Sequence, residues 1–272
     1  MKNLTPAQRH LQKEQALEES RQKDAHNPHG AQPNDAYQLL LSNLAEHERT
    51  LKKIHSVETK AEFKLEHFGE FEGHIDGILQ AGIGTPDDVF ATLFAWAIDA
   101  SLYDKALAMA AHLIKHDLSM PDQFKRTPAV FLMDEISTAA LAGKLDQNLS
   151  APLLQKVIDL TQTCDAPDPA RAKLYKAHVY ASIAHIGISA DNYKPEAAGI
   201  TAEQGAQALS MLNRVTQLDA NSGVKKDIRK LEGFIKNKDP ALWEKIVRPA
   251  PTAAQAEDGN TDNAPADPPL DT

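Results

Sequence analysis

YQLLLSNLAEHERTLKKIHSVETKAEFKLEHFGEFEGHIDGIL, residues 37–79, carries an apolar seam at alternating steps of three and four. It runs through Tyr37, Leu40, Leu44, His47, Leu51, Ile54, Glu58, Ala61, Leu65, Phe68, Glu72, Ile75 and Leu79. Ten of the thirteen positions are apolar, with His47, Glu58 and Glu72 as the exceptions. A seven-residue repeat held for about six heptads predicts a long helix or a hairpin packed in coiled-coil fashion. Heptads alone do not choose partners, so the seam serves either an intramolecular core or self-association. Gly69, Gly73 and Gly77 fall at steps of four, which permits close helix approach or a break. Their acidic flanks exclude a membrane dimer motif.

Downstream, TPDD at 85–88 opens a helix with Thr85 as cap, Pro86 in the first turn, and Asp87 and Asp88 against the positive helix end. Val89, Phe90, Leu93, Phe94, Trp96, Ala97 and Ile98 then cover nearly every side, the pattern of a buried central helix. The next segment places Ala106, Leu107, Ala110, Ile114 and Leu118 on one face, so two antiparallel helices are expected. A similar pair follows in ARAKLYKAHVYASIAHIGI, from 170, and EQGAQALSMLNRVTQLDANSG, from 203. The small residues of both pairs are loosely tetratricopeptide-like. The sequence thus predicts an all-α fold: a heptad helix or hairpin over 35–81, then helix pairs over 85–248.

The termini differ from this 35–248 body. TPAQRHLQKEQALEE starts a short helix with Thr5 as cap and Pro6 at the first position, expected to be weakly held. With the linker-like DAHNPHGAQPND it makes 1–34 a flexible arm. Residues 249–272 hold five acidic and no basic groups, with Pro, Ala and Asp in place of large apolar residues. Such a tail cannot offset its ordering entropy and is expected to be disordered. It contributes over half of the net charge of −9, so the overall acidity leaves room for a local polyanion site. Residues 222–248 carry eight basic against four acidic groups, and Lys225, Lys226, Arg229 and Lys230 form a ridge beside the stripe of Val224, Ile228, Leu231 and Ile235. That ridge is either a solvated face or a phosphate-contacting surface.

Catalytic motifs are scarce. Cys164 is the single cysteine, which excludes a disulfide framework and fits a reducing compartment. No charged segment leads into an apolar run at the N-terminus, and no apolar run approaches the roughly 20 residues that span a bilayer. HLIKH sets His112 and His116 one turn apart, but Leu113 stands where a zincin keeps its glutamate, so packing is the expected role. There is no phosphate-cradling loop for ATP hydrolysis. Carboxylates for a magnesium nuclease exist in Asp87, Asp88, Asp99, Asp134 and Glu135, each with an ordinary cap or surface explanation.

Four stretches taken together point to a family. TPAQRH at 5–10, ERTLKKIHSVETKAEFK at 48–64, MPDQFKRTP at 120–128 and LDANSGVKKDIRKLE at 218–232 resemble, in the same order, the small terminase subunit of temperate tailed phages with cohesive ends, the peduovirus-like kind. The resemblance implies viral DNA packaging, in which the small subunit binds the packaging site and partners a large ATPase subunit. It also implies an endonuclease designation for making cohesive ends. Family members tend to finish in a tail rich in Lys and Arg, whereas this tail is acidic. DNA contacts are therefore expected from the folded part, with Arg49, Lys52, Lys53, Lys60, Lys125, Arg126, Lys225, Lys226, Arg229 and Lys230 as candidates. The acidic tail could compete for those groups by mimicking DNA.

The expected partners are double-stranded viral DNA, the large subunit and further copies of the chain, in the cytoplasm of the bacterial host and away from membranes. Folding is expected to need no cofactor, and Mg2+ enters only if the nuclease centre lies in this chain. No residue presents itself as catalytic or as a metal ligand. Pro121 and Pro128 are expected to stop two helices and to bracket a connector that presents Lys125 and Arg126, with Thr127 and Pro128 starting the next helix. The alternative reading is a helical-repeat adaptor that binds protein alone.

Overall fold

The computed structural model describes residues 4–24 and 35–247; the expected linker and acidic tail lie outside them. Among the described residues the chain forms twelve α-helices, one 3₁₀ turn and no strand, which makes it all-α. The helices are α1 (Pro6–Asp24), α2 (Asp35–Leu51), α3 (Val57–Phe68), α4 (Glu72–Ala81), α5 (Asp88–Asp99), α6 (Tyr103–Lys115), α7 (Pro128–Leu141), α8 (Gln147–Thr161), α9 (Asp168–Ser182), α10 (Ala202–Leu218), α11 (Lys225–Lys238) and α12 (Pro240–Val247). None is long and apolar enough to cross a membrane.

The expected single long helix or hairpin over 35–81 is corrected to three helices. After Leu51 the chain turns through Lys52 and Lys53, and the Ser56 hydroxyl restarts it by accepting from Thr59 N at 3.2 Å. A 3₁₀ turn at Gly69–Phe71 then separates α3 from α4. The apolar periodicity survives these breaks: Leu40, Leu44, Leu51, Phe68 and Ile75 all enter the core.

Gly73 and Gly77 do the close-approach work allowed by their spacing. A Cβ on Gly73 would stand 2.6 Å from Arg9 O, and one on Gly77 would stand 2.5 Å from Ala16 Cβ and 2.7 Å from Lys13 O. The contacts advance together along both helices, so α1 and α4 run in the same direction. Thr5 and Gln8 close a reciprocal capping box at the start of α1, with Thr5 N to Gln8 Oε1 at 2.9 Å and Gln8 N to Thr5 Oγ1 at 3.3 Å. The expected short, weakly held helix is instead 19 residues long and buries Ala16 and Leu17.

Ten consecutive residues of α5, Val89–Ile98, are buried, as its all-round apolar surface requires. Its cap lies two residues beyond the expected Thr85. Asp87 Oδ1 accepts from Phe90 N at 2.8 Å while Oδ2 meets His74 Nε2 of α4 at 3.1 Å. One carboxylate thus starts α5 and ties it to α4, a double use that Thr85 cannot supply. α6 ends at Lys115, with Asp117 in the left-handed region at φ 51, so Pro121 lies in the connector and stops no helix. Thr127 and Pro128 start α7 as expected, with Thr127 accepting from Val130 N.

Two apolar cores meet on α9. Leu174 and Ala177 face the larger core built around α5, while Ala172, Val179, Tyr180 and Ile183 face a smaller one formed with α10 and α11. Inside the smaller core His185 stacks between Tyr180 and Tyr193, each ring centroid at 4.1 Å. Asp227 of α11 meets His185 Nε2 at 2.8 Å and accepts from Tyr180 Oη at 2.6 Å. Burial alone would raise the Asp227 carboxyl, but the bonds from His185 and Tyr180 outweigh it and hold the carboxyl below its ordinary 3.8. Burial, with Asp227 nearby, pushes the Tyr193 phenol up to about 12.

A Gly77→Val substitution drives a side chain into α1 and is expected to lower stability by about 1–3 kcal/mol, with faster proteolysis within residues 4–24, read by thermal unfolding and limited digestion. Asp227→Ala leaves two buried groups without their acceptor and is expected to cost about 3–5 kcal/mol. Because the Asp227 pKa is lower in the folded chain than in the unfolded one, its stabilisation is complete above the unfolded value and is lost as pH falls through the folded value. Denaturant titrations should therefore show the wild type losing its advantage over Asp227→Asn as pH drops below about 4.

Candidate functional site

The basic residues of the α2–α3 turn frame a groove. Backbone bonds from Lys52 N to Glu48 O and from Lys53 N to Thr50 O, both 3.0 Å, fold the turn and leave the two lysines exposed. Lys52 and Lys60 line a groove of about 400 Å³ walled by Thr92, Ala95 and Trp96 of α5 and closed by Gln123 and Phe124 of the connector. Lys64 lines it too; it pairs with Asp99 and lies 5.9 Å from the centroid of the Trp96 ring. With Glu48 and Asp99 also present, the lining carries three ammonium groups against two carboxylates. Arg49 and Lys53 are exposed beside it, Arg49 Nε donating to Ala45 O of its own helix at 3.1 Å. The sequence marked Lys52 and Lys60 but missed Lys64, whose partner Asp99 is 35 residues away.

The connector splits its two basic residues. Arg126 reaches back to α7, donating to Asp134 Oδ2 at 3.0 Å and Glu135 Oε1 at 2.8 Å, with its guanidinium 4.8 Å from the Phe131 ring centroid. Lys173 of α9 adds a second cation at 3.5 Å from Asp134. Phe124 packs edge-on against Phe131 at 5.4 Å, and Phe131 against Phe94 at 5.9 Å, so aromatic rings latch the connector to the core. Arg126 is thus part of the fold, whereas Lys125 is exposed with no ion pair among the described residues.

The α11 ridge divides similarly. Lys226 pairs with Asp191 at 2.7 Å and holds that carboxyl below its usual range. Lys230 donates to the carbonyls of Asp191 and Tyr193, both at 2.8 Å, and so pins the 183–201 loop. Lys225 and Arg229 point outward without such partners among the described residues.

His112 and His116 pack together, ring centroids 4.7 Å apart, and His112 meets Phe90 edge-on at 5.4 Å. Burial lowers the His112 pKa, with His116 and Lys115 adding to the effect. A different set converges elsewhere. His47 Nε2 lies 3.1 Å from Glu70 Oε2, and His67 Nδ1 lies 2.8 Å from Glu70 Oε1. Burial alone would raise the Glu70 carboxyl, but the hydrogen bonds from His67 and His47 hold it below its usual range. This set lines a cleft of about 760 Å³ between α1, α2 and α3. In the sequence His47 is merely a flaw in the heptad seam, and only its 23-residue separation from Glu70, closed by the α2–α3 turn, gives it a partner.

A family model described as phage small terminase subunit matches residues 41–169, which span the groove, the connector and both histidine sets. The terminase, endonuclease subunit of Escherichia phage P2 is 33% identical over 251 residues, covering 91% of this chain and 92% of that relative. No solved structure matches.

Arg126→Ala, which removes two ion pairs and the ring contact, is expected to lower stability by about 1 kcal/mol, while Lys125→Ala leaves thermal unfolding unchanged.

Proposed function

The chain belongs to the phage small terminase subunit family, and on that premise we propose that it binds the cohesive-end packaging site of viral DNA and acts with a large ATPase subunit in cutting and packaging the genome. The identity shared with the endonuclease subunit of phage P2, spread over nine-tenths of both chains, is the observation that carries this reading. The match to that relative in name extends the proposal to endonucleolytic end formation in the complex, with Mg2+ entering if the cutting centre is in this chain. The subunit works as a homo-oligomer in the host cytoplasm.

The arrangement of cations supports a particular contact surface. Arg49, Lys52, Lys53 and Lys60 lie at the α2–α3 turn and the start of α3, and Lys125 stands in the connector at a separate hollow lined by Thr127, Val130 and Asp165. Lys225 and Arg229 form a second outward pair on α11. Arg126, Lys226 and Lys230 are committed to contacts within the chain and contribute through the fold. Phosphate contacts of this kind give affinity that falls steeply with salt, because each neutralised phosphate releases counterions.

The test is binding of the purified chain to duplexes with and without the cohesive-end region over a salt series, with Mg2+ present so that cutting is scored on the same gel. Site-preferring binding is expected, with Lys52→Ala and Lys60→Ala each weakening it on all sequences and reducing the slope of log K against log salt by about one. No binding at low salt overturns the proposal in favour of a protein-only adaptor.

A further inference from the structure

We infer that His47, His67 and Glu70 form a binding site for one Zn2+ ion, which joins α2 to the α3–α4 junction. The donor atoms of these three residues lie within 4.8 Å of one another, the only such set of three or more among the described residues. Tetrahedral zinc at about 2.0–2.1 Å from its ligands keeps neighbouring donors roughly 3.4 Å apart. Glu70 bridges the two rings, with Oε1 2.8 Å from His67 Nδ1 and Oε2 3.1 Å from His47 Nε2, so closing the set on one ion requires the carboxylate to turn one oxygen toward both nitrogens and the donors to draw in from within 4.8 Å.

The donors also select the metal. Two imidazole nitrogens and one carboxylate suit zinc and its first-row neighbours, whereas Mg2+ and Ca2+ require oxygen ligands. Three protein donors facing a cleft leave the fourth tetrahedral position to water or a ligand, the pattern of an open zinc site. Binding the ion requires each histidine to release the proton its facing nitrogen donates to Glu70, so that this nitrogen offers a lone pair while the other ring nitrogen keeps its proton.

The surroundings hold the ligands in place. The His47 and His67 rings lie 4.3 Å apart, and Phe63 packs against His67 at 4.3 Å. The edges of Phe71 and Trp96 flank His47 at 6.1 Å and 6.3 Å. Gln12 of α1 donates to the backbone carbonyl of Glu70 at 3.1 Å and so anchors the turn that carries the carboxylate. Gln12 Oε1, buried and without a hydrogen-bond partner among the described residues, belongs to the same cleft lining.

The experiment uses the full-length, untagged chain stripped of metal with a chelator. Zn2+ is titrated calorimetrically, bound metal is counted after gel filtration, and Co2+ serves as a spectroscopic probe of coordination. One ion per chain is expected, with a visible Co2+ band of four-coordinate intensity and a Zn2+-dependent rise in Tm. His47→Ala, His67→Ala and Glu70→Gln should each weaken binding by about 10- to 100-fold or more, whereas His112→Ala should bind as the wild type does. Glu70→Gln keeps the side-chain shape, so its circular dichroism separates a lost ligand from a lost fold. Absence of stoichiometric Zn2+, or equal binding by the wild type and Glu70→Gln, overturns the assignment. Neither result depends on DNA binding or cleavage, so the site and the proposed function stand or fall separately.

Discussion

A helix that is apolar on every side must be enclosed, and α5 imposes that requirement on the rest of the chain. Residues Val89–Ile98 exclude water along their whole length, so α3, α6 and α7 pack around them and the connector folds back through Phe124 and Phe131. Burying that much apolar surface is the largest favourable contribution available to the fold. The polar residues at its boundary are arranged to permit it. Asp87 satisfies the first turn of α5 and, with its second oxygen, His74 on the neighbouring helix.

The sequence made the periodicity legible and the breaks illegible. Leu40, Leu44, Leu51, Phe68 and Ile75 could be read as one seam because an apolar residue seeks the core whether its helix is continuous or not. What divides the seam is a serine hydroxyl at position 56 and a tertiary demand that α3 and α4 reach different neighbours, neither of which has a periodic signature. Gly73 and Gly77 announced close approach without naming the partner, which is α1. Thr85 looked like a cap because its type and position are right, and it lost to Asp87, which meets a second donor in three dimensions.

The basic candidates show the same limit. Residue type marked all ten, but charge in a sequence carries no information on what each group faces. Lys52, Lys53 and Lys60 remained available, whereas Arg126 proved to be held by Asp134 and Glu135, and Lys230 by two loop carbonyls. The two spacings that mattered for histidine chemistry were opposite in kind. His112 and His116 sit one turn apart and pack, while His47 and His67, brought side by side by the turn between their helices, share Glu70.

Helix α9 contributes Leu174 and Ala177 to one core and Val179 and Tyr180 to the other. A helix shared in this way is a common wall, and neither compartment can open without exposing part of the other. The two cores are therefore coupled through α9, so that a change that loosens one lowers the stability of the other.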